Sequence, residues 1–441
     1  MESILALIQT NAMAISAGIL LFAYVFIATE KIPKVTIALL GGSLTLLLGL
    51  LSQDKMSNGT FDPHYFINFV DFNVIFLLVS MMIIVNIATR SGMFSWLANE
   101  MLKATKGNPQ LIFFSLAIFT AITSAFLDNV TTVILIMPIT FVIAKELDIN
   151  PVPLLLTEII ASNIGGTATL IGDPPNIIIG SAAGFSFMDF LNNLTLIVSI
   201  IFVTCISLLL FIFRKQLHTT AEKMAKVAEM DNSKTITDKG LMIRSLIVLG
   251  LVILGFVTHD ITHIQTCVCA MVGASVLLLF EKPEHILSDV EWSTIFFFIG
   301  LFIIIGGLEA SGGIAVMADW LLNVTNGSES ATAMVILWGS GILSGIIDNI
   351  PYTATMAPML ATIQTQMGVE YTTPLWWCLS LGACLGGNMT IIGAAANVIV
   401  SEASAARGHK IEFMYYLKYG VLVTFISLAL SSVFIYLTFL K

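Results

Sequence analysis

Apolar runs near the length of a bilayer crossing, about 20 residues, follow one another from residue 12 to residue 440, divided by short polar breaks. Read by this pattern, ten segments span a membrane: about 12 to 29, 35 to 52, 73 to 90, 152 to 184, 193 to 213, 241 to 258, 265 to 280, 294 to 310, 373 to 403 and 415 to 440. Two further apolar stretches, near 110 to 146 and 330 to 366, carry their polar break in the middle, at LDNVTT and at IDNIPYT. Irregular backbone at membrane depth survives only where protein buries it or where it lines a cavity. Both stretches are therefore expected to be re-entrant hairpins that leave on the side they entered.

Composition removes the soluble classes and charge sets the orientation. The 441 residues are 57% hydrophobic and 11% charged, with a mean hydropathy of +0.95, which describes a polytopic membrane protein with no soluble domain left over. The first apolar run lacks a basic region before it and a small-residue cleavage site after it, so it reads as a retained helix. With the N-terminus outside, the inner loops hold Lys31, Lys34, Arg90, Lys103, Lys106, Lys145, Lys282, Arg407 and Lys410, with seven more basic residues between Arg214 and Arg244. The outside keeps Lys55 and Lys441, and Lys418 lies at the inner end of the last helix. That sorting follows the positive-inside rule and puts both termini outside and the central linker in the cytoplasm, as a solvated tether with a partly helical start. The cell (inner) membrane is the expected location. Net charge, −9, decides nothing here. The five cysteines all fall in apolar runs and read as small buried hydrophobes.

The halves repeat at an offset near 220 residues. SAFLDNVTTVILIMP lies on SGIIDNIPYTATMAP, so Asp128 matches Asp348 and Asn129 matches Asn349. After one inserted residue NIGGTATLIGDPPN lies on CLGGNMTIIGAAAN, placing Gly165 over Gly386, Thr169 over Thr390 and Asn176 over Asn397. Five spans per half, an odd number, make these inverted-topology repeats, with the site expected at their interface near the midplane. Gly165–Gly166 and Pro174–Pro175 predict that the fourth span of the first half unwinds into two half-helices, and the repeat copy with Gly386–Gly387 predicts the same of the second, freeing carbonyls for a cation and N–H groups for an anion or neutral oxygen. A lone carboxylate at the bilayer centre costs about 3 kcal/mol or more, so Asp128 and Asp348 are expected to face a cavity.

The same residues carry a family resemblance. SAFLDNVTTVILIMP, NIGGTATLIGDPPN and IDNIPYTATMAP resemble the ion-transporter superfamily of secondary carriers, and within it the branch of ArsB-type arsenite permeases, NhaD-type sodium/proton antiporters and the melanosomal P protein. The resemblance implies a scaffold (residues 1–106 and 241–326), a mobile transport part (107–213 and 327–441), a linker (214–240), homodimerisation and an elevator-like movement. Dicarboxylate carriers of the superfamily have Ser-Asn-Thr at the hairpin tips, whereas here the tips read Asp-Asn, where an anion meets two carboxylates.

Ion or solute binding is accordingly expected from Asp128, Asn129, Thr131, Thr132 and, in the second half, Asp348, Asn349 and Thr353. The broken helices add Asn163, Gly165, Thr169, Asp173 and Asn176, with Gly386, Asn388, Thr390 and Asn397 as their counterparts. The asparagines have an alternative role as helix caps, and the threonines as back-bonds to their own helices. Asp173, matched by Ala394, is either a coupling site or a cap for the half-helix at Pro174. Glu158, matched by Leu379, is a candidate proton relay within reach of the inner interface. No metal spacing links the six histidines, and no nucleophile–base or HExxH motif suggests an enzyme. The expectation is a secondary carrier coupling H⁺ or Na⁺ to a small inorganic ion or oxyacid, arsenite or antimonite first, with sodium/proton antiport next and an organic anion third. No cofactor beyond the coupling ion and no nucleic-acid partner is expected, and the bilayer is the solvent.

Overall fold

The computed structural model describes residue 8 and residues 10–29, 31–51, 56–57, 60–61, 66–228 and 235–440. Lys55, Lys441 and linker residues 229–234 lie outside the described residues. Among the described residues the structure is helical apart from one two-residue antiparallel ladder, Met56–Ser57 with Thr60–Phe61, in the register Met56 to Phe61. The first half runs α1 (Ala12–Thr29), α2 (Lys34–Leu47), α3 (Phe72–Arg90), α4 (Met93–Ala104), α5 (Pro109–Phe126), α6 (Asn129–Leu147), α7 (Val152–Gly166), α8 (Pro174–Ala183) and α9 (Phe187–Phe213). After α10 (Ala221–Ala228) in the linker come α11 (Lys239–Val257), α12 (His259–Thr262), α13 (Thr266–Leu278), α14 (Pro283–Leu287) and α15 (Trp292–Ala310). The chain closes with α16 (Gly313–Val324), α17 (Glu329–Ile347), α18 (Asn349–Met367), α19 (Val369–Gly386), α20 (Ala395–Ala406) and α21 (Phe413–Thr438).

Among the described residues nine helices are long and apolar enough to cross a membrane. Three of them, α5, α6 and α17, are hairpin arms, and six are simple spans. The remaining expected spans are the shorter α2 and α13 and the two interrupted pairs, α7 with α8 and α19 with α20. Local chemistry sets the boundaries. Asn108 accepts from the amides of Gln110 and Leu111 while Pro109 opens α5, and Ser186 and Asp189 form a capping box at α9. Between α7 and α8 the helix stops at Gly166 and restarts at the Pro174–Pro175 pair, as the sequence predicts.

Burial separates the layers. All 15 residues of α7 are buried, and α19 is buried from Pro374 to Gly386, so the broken helices lie in the centre, wrapped by others. Exposed Leu, Ile, Phe and Val side chains concentrate on the outer helices, as on α9 and α11. Glycines set the closest approaches: a Cβ on Gly300 of α15 would lie 2.6 Å from the Ala38 carbonyl of α2, and one on Gly42 would lie 3.1 Å from the Gly300 oxygen.

Two elements differ from the sequence reading. The amphipathic helices α4 and α16, which the span count passes over, follow α3 and α15 at matching positions. The linker is not a free tether. Lys223 pairs with Asp148 at 2.6 Å, holding that exposed carboxyl below its ordinary range, and the Thr219 hydroxyl donates to the Leu147 carbonyl. Thr237 does the same to the Arg90 carbonyl, so described parts of the linker are fastened to the base of the first hairpin and to the end of α3.

Candidate functional site

Both hairpins turn over an Asp-Asn pair. At the first tip, Asp128 caps α6: its carboxylate accepts from the Thr131 amide at 2.9 Å and the Thr131 hydroxyl at 2.6 Å. At the second, Asp348 accepts from the Ile350 amide at 3.1 Å, but its backbone sits at φ +96°, a region that strains any residue with a Cβ. The tips are related in sequence and unequal in conformation.

Around them lies a cavity of about 300 Å³, lined by Asp128, Asn129, Asp173, Asn349, Lys34 and Glu291 among others. Asp173 occupies the cap position of α8, yet its carboxylate makes no cap bond. Both of its oxygens instead accept from Asn349 Nδ2 at 3.3 Å, which joins the first broken helix to the second hairpin and answers the cap reading in favour of a contact between halves. Lys34, which the sequence reading counts as a loop charge, reaches in from the first residue of α2 and pairs with Asp348 at 3.0 Å.

Behind the cavity, carboxamides lock the halves together. Asn129 Nδ2 donates to Asn163 Oδ1 at 3.2 Å, and Asn163 Nδ2 donates to Asn388 Oδ1 and Asn397 Oδ1, each at 3.0 Å. Asn176 Nδ2 reaches the carbonyls of Gly166, Thr167 and Thr169, and Asn397 Nδ2 those of Gly387 and Thr390. Five of the carbonyls in the unwound stretches, expected to face a cation, thus accept from an asparagine instead. Asn176 Oδ1 in turn accepts from Ser380 Oγ at 2.6 Å and from the Cys384 thiol. Because Asn176 satisfies several buried groups at once, Asn176→Ala is expected to cost roughly 2–4 kcal/mol, read as a lowered thermal unfolding midpoint of the purified protein. A midpoint equal to wild type would deny it that role.

The other expected site residues fall into place around this frame. Thr169 donates to the Ala125 carbonyl and Thr390 to that of Gly345 at 2.6 Å, and Thr353 bonds back to the Asn349 carbonyl, so these hydroxyls are spent on structure. Gly165 and Gly386 do not line this cavity: a Cβ on either would meet the carbonyl of the neighbouring hairpin arm, Ala121 at 2.2 Å or Gly341 at 2.5 Å. Thr132 Oγ1 and Asn388 Nδ2 are buried without a protein partner. Glu158 is 1% exposed and does not reach the interface; it accepts from the Thr140 hydroxyl, leaving Oε2 unpartnered. Lys34, Glu291, Ser380 and Cys384 were not expected. Ser380 and Cys384 look like ordinary positions in an apolar run, whereas Lys34 and Glu291 are charges beside predicted spans.

Comparison with known proteins gives this arrangement a family. The model of the citrate transporter family CitMHS matches residues 24–382. An uncharacterized transporter of Mycobacterium bovis is 40% identical over 429 residues, covering 96% of this chain and 98% of its own length, and a 46 kDa membrane protein of Mycobacterium leprae is 40% identical with 97% and 99% covered. The mouse P protein is 28% identical over 96% of this chain, which spans 60% of that longer protein. The crystal structure of the YdaH transporter of Alcanivorax borkumensis, described as having an unusual topology, aligns with a TM-score of 0.53 over 95% of this chain and 97% of its own, at 13% identity, a likeness of fold. The P-protein similarity agrees with the sequence resemblance, and the matching family model is described as a citrate transporter. The chain belongs to the citrate transporter family, and it is a membrane transporter.

Proposed function

We propose that the protein is a secondary active carrier in which Asp128, Asp173 and Asp348 bind the coupling H⁺ or Na⁺ in the shared cavity. The carrying observation is the convergence of Asp128 from the first hairpin tip, Asp173 from a broken helix and Glu291 from α15 on a single space with one ammonium, that of Lys34, which pairs with Asp348 of the second tip. Such an excess of negative charge favours a cation and disfavours a free polyanion. The family description makes a citrate-like polycarboxylate the first solute to test, entering with its charge compensated by the coupling ions. Sodium/proton antiport without an organic solute is the second reading, favoured by the same surplus of carboxylates. Arsenite and antimonite recede, since no cysteine lines the cavity among the described residues and the family description names a carboxylate.

The repeats are read as inverted, and α2 with α15 as part of a scaffold against which hairpins and broken helices move. Helix bounds support the repeat: α3 at 72–90 matches α15 at 292–310, and α6 at 129–147 matches α18 at 349–367. With the charge-derived topology, Lys34 and Glu291 stand at inner helix ends, so the cavity opens inward. Purified protein in liposomes with an imposed pH gradient, offered citrate, Na⁺ and arsenite in turn, tests the proposal. The expected result is gradient-dependent citrate uptake or Na⁺-dependent proton movement. Flux of any of these that ignores both gradients would make it a channel and sink the carrier reading.

A further inference from the structure

We infer that Lys34 is the resident cation of the site: its ammonium holds the cation position at Asp348 while the site is empty, yields it to the coupling ion, and so sets that ion's affinity. The inference rests on the proposal that this cavity binds the coupling ion, and deepens it. Lys34 Nζ lies 3.0 Å from Asp348 Oδ2 and 5.5 Å from the centre of the Phe297 ring. The partners belong to different bodies. Lys34 opens α2, which glycines press against α15, whereas Asp348 forms the tip of the second hairpin. Any movement of hairpin against scaffold breaks this contact.

The pair is also asymmetric. Asp128, the counterpart of Asp348, bonds only within its own tip, and no second cation lines the cavity among the described residues. The charged groups facing the pair are Asp128 from the first tip, Asp173 from the start of α8 through Asn349, and Glu291 from the start of α15. On the far side of α18 the neutral Tyr24 hydroxyl donates to the Pro351 carbonyl. The lysine side chain is 36% exposed against 7% for the aspartate. Released, the ammonium swings toward water, but the carboxylate stays buried and needs a replacement cation. An ion arriving at Asp348 must therefore displace a tethered competitor, and an ion leaving is replaced by it. That keeps the empty site neutralised at this carboxylate and speeds release of the ion.

The test uses the full chain purified in detergent, with protons and Na⁺ as the probes. Its unfolding midpoint is followed between about pH 5 and 9, in NaCl and in choline chloride of equal ionic strength. Removing the competitor raises the affinity of Asp348 for either ion, so Lys34→Gln is expected to move the pH response upward by about one unit, or to lower the half-effective NaCl by about tenfold. Lys34→Arg should match wild type, and in an Asp348→Asn background Lys34→Gln should change nothing. Wild-type pH and Na⁺ responses in Lys34→Gln would overturn the inference, as would an equal shift in the Asp348→Asn background. If Lys34→Gln does not fold, Lys34→Cys with Cys267→Ser and Cys269→Ser replaces it. Aminoethyl methanethiosulfonate, which rebuilds the ammonium, should then restore the wild-type response, and the neutral methyl reagent should not; equal responses to both overturn the inference. Loss of transport in Asp348→Asn together with an unchanged Lys34→Gln titration would defeat the lysine's role alone. Full transport in Asp348→Asn would defeat the cavity reading itself.

Discussion

Asparagine at both hairpin tips, Asp128→Asn with Asp348→Asn, is expected to abolish cation-coupled transport in a protein that still folds. Folding survives because asparagine caps a helix about as well as aspartate, so the bonds from the Thr131 and Ile350 amides persist. What disappears is the charge. A bond to a charged group is worth about 1.5–3 kcal/mol, so losing two charged ligands costs on the order of 10²–10⁴ in ion affinity. Liposome uptake measured against external pH, beside the thermal midpoint, separates the effects. Wild-type pH dependence in the double variant would leave the two aspartates as structural caps.

How much of this was legible follows from which signals are local. The hairpins, the broken helices and the matching of Asp128 with Asp348 could be read because glycine, proline and acidic residues interrupt an otherwise apolar text, and each interruption has a local cost that demands a structural answer. The carboxamide frame was half legible. Asn163, Asn176, Asn388 and Asn397 stood out as polar, but their sequence positions give no hint that Asn176 serves the carbonyls of its own unwound stretch while accepting from Ser380. Partners 200 residues apart are set by the packing of one half on the other, which no periodicity encodes. The partner of Lys34 was missed for a related reason. A lysine beside a span is nearly always a topological marker, and its pairing with Asp348 depends on where a hairpin tip 314 residues later comes to rest. Glu158 was placed too near the surface because its depth was counted along α7 alone, without the helices that cover it.

Leucine at Gly165 is expected to leave no folded transporter, and Gly386→Leu likewise. A Cβ at Gly165 would stand 2.2 Å from the Ala121 carbonyl oxygen and 2.5 Å from its Cα, and one at Gly386 would stand 2.5 Å from the Gly341 oxygen. These are backbone atoms, which cannot rotate away, so the cost exceeds the roughly 1–3 kcal/mol typical of overpacking a core. Gly250→Leu is the control: nothing lies within 4 Å of a Cβ there, on an exposed face of α11, and wild-type behaviour is expected. Gel filtration after membrane extraction and the thermal midpoint give the readout, and a monodisperse Gly165→Leu protein melting like wild type would refute the close approach. The consequence reaches the site. In each half the glycine lets a hairpin arm lie backbone to backbone against a broken helix, and serines fasten the contact, Ser124 to the Ser162 carbonyl at 2.8 Å and Ser344 to that of Ala383 at 2.7 Å. Hairpin and broken helix are therefore packed backbone to backbone in each half, and this packing places Asp128 beside the carboxamides of its own half. The Lys34–Asp348 contact instead joins the start of α2 to the second hairpin tip, and under the proposed movement of hairpins against scaffold it is the contact that breaks.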